Sequence, residues 1–567
     1  MAEPLSPRPD AAERRGQFSM PALLLCAVLV CGGGGLIAQY ELDDARVNAQ
    51  ELTANPWTIH GVLRIGSQQK PDMLGPLLGE QYIDDDLSLL WAGYLLEWND
   101  RDEYEPELAT SVPSQTNGGI SADGRTIVYH LRKGVLWQDG MPFTSADVVF
   151  SWRAVMNPRN HIGTKIGYDL VRRIDTPDPY TVVVRLKRRF APFVGTFFSF
   201  SQEAVPVLPK HLLSRFGSLD NVAFGRMPIG TGPYRVVSNR GGDIRFEANA
   251  RYWRGAPGLR EIDFNWLPDD RSLVTALREH RIDLYMEGAQ AFDPQLQGNR
   301  GFTVFLYPFT RFLDIGVNLA RPQLRDARVR EALAFATDRN RLIDRVTHGV
   351  NLPADGDQPP FGWAYSNRVK RYPYNPRFAA QLLDEAGWTR GSDGLRHKGG
   401  EALRLEMVGE TGSATDNATE IEIEREWRAV GIELVIHNYS SNELYANKND
   451  GGIQQTGRFD LTLENWGYGV DPDDSSAFMC DMAPPAGWNI YGYCNPSLDA
   501  AEAQAVEHYD RATRKRAYAR IQALLTQDLP IIPLWFTQRE DVANVDLQNY
   551  KPSHAFSSFW NAWEWTI

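Results

Sequence analysis

The chain has 567 residues, 43% of them hydrophobic and 23% charged, which excludes collagen-like, low-complexity and wholly disordered polymers. A chain of this length holds about three to five compact units and buries a large core. Its net charge of −13, from 59 basic and 72 acidic residues, argues against a nucleic-acid binder, because phosphate contacts need a surplus of Lys and Arg.

The first segment sets the compartment. Arg14 and Arg15 precede a stretch, Gly16 to Tyr40, without a charged residue, and Met20 to Cys31 is strongly apolar. A charged start before an apolar block is an export signal or a signal anchor, and the span is long enough to cross a bilayer. No good small-x-small cleavage site follows, so cleavage and retention both stay open. Residues 1–20 read as a disordered cytoplasmic segment, 21–40 as signal or membrane anchor, and 41–57 as a linker. The remainder is expected outside the cytoplasm, either tethered to the plasma membrane or secreted into the periplasm. Cys26 and Cys31 follow bulky residues, Leu25 and Val30, and read as membrane-embedded apolar residues rather than lipidation sites.

Beyond residue 57 strand and helix signals alternate. Asp123-Gly124 is a turn signal before TIVYHL (126–131), and TVVVRL (181–186) follows Asp178-Pro179, so both segments read as strands. In 326–349, Val329, Leu333 and Ala336 form a helical stripe, and Asp338 restarts a second helix carrying Leu342, Ile343 and Val346. In 374–388, Asn375 caps, Pro376 takes the first helical position, and Gly387 ends the helix. Mixed strands and helices over such a length imply α/β layers in several lobes. Cys480 and Cys494, the two cysteines outside the first segment, read as a disulfide in an exported chain; a metal pair or two free thiols are the alternatives.

Six stretches in order resemble one family, the family 5 extracellular solute-binding proteins of ABC importers, which includes dipeptide- and oligopeptide-binding proteins. They are HLRKGVLWQDGMPFTSADVVFS (130–151), PIGTGPYRV (228–236), NARYWRGAPGLREIDF (249–264), the helix pair 326–349, YNPRFAAQLLDEAGW (374–388) and QDLPIIPLW (527–535). Their local physics is structural: turns at Lys133-Gly134 and Asp139-Gly140, a helix after Thr144 and Ser145 that buries Val148, Val149 and Trp152, and a chain reversal at GTGP.

The resemblance implies an α/β fold of periplasmic-binding-protein type: a two-lobed clamp with an extra subdomain and mixed sheets flanked by helices. Lobe I would span 58–308, lobe II 309–530, and 531–567 would return to lobe I. The chain would cross between lobes near Tyr307 to Asn318 and again near Pro530 to Trp535. It implies no catalysis and no cofactor, a monomeric clamp closing on a small-molecule or peptide ligand, and ABC permease subunits as partners. The cysteine spacing also matches the dipeptide-binding relatives.

In peptide-binding members a Trp followed by an Asp lines the cleft, and the Asp holds the peptide ammonium. The matching segment here is NWGYGVDPDDSSAFMC (465–480), in which Trp466 aligns and Gly469 stands where the Asp is expected. A glycine cannot pair an ammonium, so Asp471 becomes the candidate anchor; its other reading is a turn residue before Pro472. Trp466, Gly467 and Tyr468 are candidates for the cleft wall, with core packing as the alternative. Gln68 and Gln69, after the first strand, and Glu410, after the strand LRLEMV (403–408), occupy loops that line the cleft in relatives or are simply solvated. The absence of HExxH, GxSxG and a Cys/His nucleophile arrangement argues against an enzyme. A membrane-tethered solute sensor and an oligosaccharide or other small-solute binder are the other readings.

Overall fold

The structure is a computed structural model that describes residues 55–567 apart from 72–73, 75–81, 163–164, 201–204, 221, 288–299, 468 and 556–557. The N-terminal segments expected over 1–54, and Tyr468, lie outside the described residues. No described helix is long and apolar enough to cross a membrane.

One large mixed sheet organises the chain. Its strands are β1 (Val62–Ser67), β2 (Tyr234–Arg240), β3 (Asp243–Ala248), β4 (Glu261–Trp266), β5 (Leu284–Tyr285), β6 (Phe302–Val317), β7 (Leu352–Pro353), β8 (Arg404–Glu410), β9 (Glu433–Tyr439), β10 (Leu461–Gly467) and β11 (Ile531–Asn544). They lie in the order β9-β8-β10-β6-β11-β5-β1-β4-β3-β2, with β7 paired to β11. The long strands β6 and β11 run antiparallel through the middle, from Phe302 opposite Asn544 to Gly316 opposite Ile531. Their register shifts between Pro308 and Phe312, where a proline removes a ladder donor.

The cores divide along this pair of strands. One is built from residues between Leu63 and Met286 together with Ala543 to Trp565. Others are built from residues between Phe312 and Phe536. Two lobes sharing two strands is the expected clamp. A further antiparallel sheet, from Thr126–His130, Val171–Asp178 and Thr181–Leu186, packs under the helix Ser145–Val155. Val148 is buried there, whereas Val149 and Trp152 are half-buried and the Trp152 Nε1–H donates to the Tyr168 carbonyl at 3.2 Å.

Local chemistry places the elements as the sequence suggests. Asn375 accepts from the Phe378 N–H at 3.1 Å and starts the helix Pro376–Glu385; Gly387 beyond it has φ +85°. Asp338 accepts from the Arg341 N–H at 3.1 Å and separates the helices Ala327–Ala336 and Arg339–Val346. In GTGPYRV the glycines answer a close approach. A Cβ on Gly230 would stand 1.8 Å from the Trp91 carbonyl oxygen, and one on Gly232 2.6 Å from that of Ala92. Cys480 and Cys494 are joined as a disulfide, with Cα atoms 4.5 Å apart.

Candidate ligand-binding site

A cavity of about 330 Å³ opens where the two lobes face each other. From the first lobe come Arg101, Asp102 and Glu103; from the second come the 358–364 loop, Gly469, Val470, Pro472 and Arg511, with Thr310 of the shared strand β6 between them.

Each wall is built by local sequence. Arg101 to Glu103 turn the hairpin between the strands Leu96–Trp98 and Tyr104–Pro106. The Asn99 Oδ1 accepts from the N–H groups of Arg101 at 2.9 Å and Glu103 at 3.1 Å, and Asp102 takes the left-handed conformation at φ +58°. Asn and Asp tolerate such turns because their short side chains bond the local backbone. The Asp102 Oδ2 faces the His554 Nδ1 at 3.0 Å. His554 belongs to the C-terminal return, and its carbonyl accepts from the Thr310 N–H at 2.9 Å.

The opposite wall is aromatic. Trp363 donates its Nε1–H to the Val470 carbonyl at 3.3 Å, and the guanidinium groups of Arg511 and Arg514 lie 5.0 and 5.3 Å from its ring centre. Arg511 opens the helix Arg511–Asp528, which Asp510 caps by accepting from the Thr513 N–H at 2.7 Å. Phe361 lies 5.0 Å, ring to ring, from His554, so the lobes touch at one rim of the cavity. They touch again where the Tyr509 hydroxyl donates to the carbonyls of Gly124 at 3.0 Å and Phe190 at 3.2 Å, and the Ala191 N–H donates to the Val506 carbonyl at 2.6 Å.

The expected site residues surround this cavity more than they line it. Gly469 and Val470 form its wall, while Trp466, three residues earlier, is half-buried beside it. The Trp466 Nε1–H donates to the Glu464 Oε2 at 2.8 Å and to the Tyr491 hydroxyl at 3.1 Å, and the ring packs edge-on against Trp488 at 6.5 Å. Gly467 is buried in the ladder opposite Arg311. Asp471 is not the free anchor that the missing acid suggested. Its Oδ1 and Oδ2 accept from the Arg514 Nη2 and Nη1 at 2.6 and 2.7 Å, a bidentate pair that neutralises both groups. Arg514 also donates to the carbonyl of Ala505 at 2.8 Å and the hydroxyl of Tyr518 at 3.1 Å.

The remaining candidates lie elsewhere. Gln69 is a structural tie: its Nε2 donates to Glu287 and its Oε1 accepts from the Ile83 N–H at 3.2 Å. The Gln68 carbonyl accepts from the Trp266 Nε1–H at 3.1 Å. Glu410 accepts from Ser441 and, at 3.3 Å, from Tyr445. None of these three lines the cavity described here.

Sequence reasoning missed Trp363, Phe361, Arg511 and Asp102. An aromatic pair in the turn-rich run DQPPFGW (357–363) was the available signal. A Cβ on Gly469 would meet nothing within 4 Å. The space for a side chain there is therefore open cavity.

Residues 103–488 match the family described as bacterial extracellular solute-binding proteins, family 5. The chain belongs to this family. It is 28% identical over 470 residues to Protein XP55 of Streptomyces lividans, covering 82% of this chain and 81% of that one. It is 24% identical over 555 residues to the oligopeptide-binding protein AppA of Bacillus subtilis, covering 96% and 98%. In fold it is similar to NikZ of Campylobacter jejuni, solved in complex with Ni(L-His), with a TM-score of 0.77 and 23% identity over 90% of this chain and 100% of that one. The two-lobed solute-binding clamp is thus both this chain's architecture and its family's.

Proposed function

We propose that this protein captures a peptide or peptide-like solute between its lobes, outside the cytoplasm, and delivers it to the permease of an ABC importer. Family membership carries the reading, and the cavity at the lobe contact supports it. Closing on a ligand that touches both walls is what a clamp of this type does, because only differential contacts shift the open and closed populations. The similarity to AppA, an oligopeptide-binding protein, favours peptides. The similarity to NikZ, solved with a nickel–histidine complex, keeps small chelates as the second reading.

The lobes are proposed as 58–308 and 309–530, with 531–567 returning to the first; the division of the cores about β6 and β11 supports this. The apolar stretch 21–40 is proposed to export the chain and either leave with cleavage or stay as an anchor. The primary contact set is proposed to be Asp102, Trp363, Gly469 and Arg511, with Trp466 and Asp471 holding the second wall from behind. Thermal-shift screening over dipeptides, longer peptides, oligosaccharides and metal–histidine complexes tests this. A ligand at a hundredfold excess over its Kd stabilises by about 2.7 kcal/mol. A response to oligosaccharides or chelates alone removes the peptide reading.

A further inference from the structure

Three carboxyls buried in the second lobe have almost no donors to hold them. Asp357, Asp474 and Glu502 are each at most 2% exposed. Among the described residues, no group donates to either oxygen of Asp474 or of Glu502, or to the Asp357 Oδ1. The Asp357 Oδ2 accepts from the Gln358 Nε2 at 2.8 Å. Asp474 stands just before the short helix Ser475–Phe478, yet the Ser475 N–H donates to Asp473 instead, at 3.2 Å. What is left to Asp474 is the carboxyl of Glu502 on one side and that of Asp357 on the other. Two carboxylates only accept; a carboxyl and a carboxylate bond through a proton that one of them carries.

The surroundings offer no other neutraliser. Asp473 and Asp499 add negative charge beside Glu502, and Asp314 of β6, itself beside Glu464 of β10, faces Asp357 from the sheet. On the helix Arg511–Asp528, Arg514 is paired with Asp471, and the Tyr518 hydroxyl that faces Glu502 accepts from Arg514 at 3.1 Å. Among the described residues no three acids, histidines or cysteines are placed to hold a metal ion. Burial and the like charges accordingly hold Asp474 and Glu502 well above the usual carboxylate range.

The cluster joins the elements that grip the first lobe. Asp357 leads into the 358–364 loop, whose Phe361 meets His554. Gln358 ties that loop to the Pro472 carbonyl at 3.4 Å. Glu502 lies on the helix Pro496–Glu507, whose Val506 carbonyl accepts from the Ala191 N–H of the first lobe. Tyr509, just beyond that helix, donates to the carbonyls of Gly124 and Phe190. Both contacts between the lobes therefore rest on segments that meet at the three carboxyls.

We propose that Asp357, Asp474 and Glu502 form a proton-operated latch. With its protons in place, the cluster holds the helix Pro496–Glu507 and the 357–364 loop together, and both contacts with the first lobe are presented. Loss of the protons to solvent leaves uncompensated charges that push these segments apart and let the lobes separate. The latch is independent of which solute is captured.

The test is small-angle scattering and hydrogen exchange on the full-length protein without ligand, at about pH 5 and about pH 8, either side of the range over which the raised groups lose their protons. The native radius is expected to be larger at the higher pH. Glu502→Gln, and independently Asp474→Asn, should keep the smaller radius at both. At the higher pH the Ala191 amide should exchange on the order of tenfold faster in the native protein than in Glu502→Gln, the factor equivalent to one unit of pKa. Glu426→Gln is the control. Glu426 is also buried and pushed up to about 7 mainly by burial, but it lies on the helix Ala414–Ala429, outside these contacts, and its loss should leave the native pH response unchanged. A native radius that does not change with pH overturns the latch, as does an increase that both Glu502→Gln and Asp474→Asn retain. So does an increase accompanied by loss of the near-ultraviolet dichroism of the aromatic core, because the second lobe would then be melting and the lobes not parting.

Discussion

Two buried charge centres, one in each lobe, are built on opposite terms. In the first lobe Arg539 of β11 stands among three carboxylates, 3.3 Å from Asp86, 3.4 Å from Glu287 and 3.6 Å from Asp541. Asp541 is further held by the hydroxyls of Tyr307 at 2.6 Å and Tyr550 at 2.7 Å. In the second lobe Asp357, Asp474 and Glu502 are buried together, and the nearby cation, Arg514, is already taken by Asp471. A buried carboxylate without a cation keeps its proton instead of its charge. Burial, reinforced by the neighbouring acids, accordingly pushes Asp474 and Glu502 well above the usual carboxylate range. One centre is held by charge and the other by protons, so they should respond differently to mutation and to pH.

Removing the cation should have the largest effect. Arg539→Met leaves Asp86 and Asp541 buried without a counter-charge, and breaking a buried pair in this way costs about 3–5 kcal/mol. Urea unfolding at pH 7 should show a fall of that size. A change under about 1 kcal/mol would mean that the tyrosine hydroxyls and protonation of Asp86, itself pushed up to about 7 mainly by burial, suffice to hold the site.

The proton-held centre predicts a pH slope of defined sign. A carboxyl whose folded pKa is raised above its unfolded value stabilises the fold fully below the unfolded pKa. That contribution is lost as pH rises through the folded one. Asp474 and Glu502 should therefore make the protein less stable on going from about pH 5 to pH 8. Glu502→Gln removes one titrating group while keeping the shape. It should raise stability at pH 8 by on the order of 1–3 kcal/mol and change little at pH 5. Urea midpoints at both pH values check this; an equal shift at both would assign the effect to packing.

The contrast also explains what could be read from the sequence. Periodicity and caps gave the helices at 327–336, 339–346 and 376–385, because Asp338 and Asn375 act on backbone a few residues away. Six ordered motifs gave the clamp. The cavity was not legible, because its walls join Asp102 to Arg511 and Trp363 across hundreds of residues, and no local pattern encodes that meeting. The pairing of Asp471 was not legible for the same reason: Arg514 lies 43 positions away on another helix.

The contact between the lobes comes next in size. Tyr509→Phe removes both hydrogen bonds to the Gly124 and Phe190 carbonyls but keeps the ring in its apolar setting. The hydroxyl shares its one proton between the two carbonyls, so the contact between the lobes should lose about 0.5–1.5 kcal/mol, the worth of one net hydrogen bond. Small-angle scattering should show a larger mean radius for the unliganded variant, and ligand affinity should fall. An unchanged radius and affinity would show that these bonds do not select the closed state.

The smallest effect should come from an ion pair with better geometry than any at Arg539. Arg235 and Glu247 face each other directly across β2 and β3, with nitrogen and oxygen 2.7 Å apart. Their side chains are 57% and 35% exposed, against 4% for Arg539. Water screens both charges before and after the pair is broken, so neither is stranded when its partner is lost, and exposed pairs contribute about 0.2–1 kcal/mol. Arg235→Gln should therefore move the urea midpoint only slightly, and less still in high salt. If it cost as much as Arg539→Met, distance rather than burial would set the strength of charge pairs in this protein, and the contrast between the two buried centres would lose its basis.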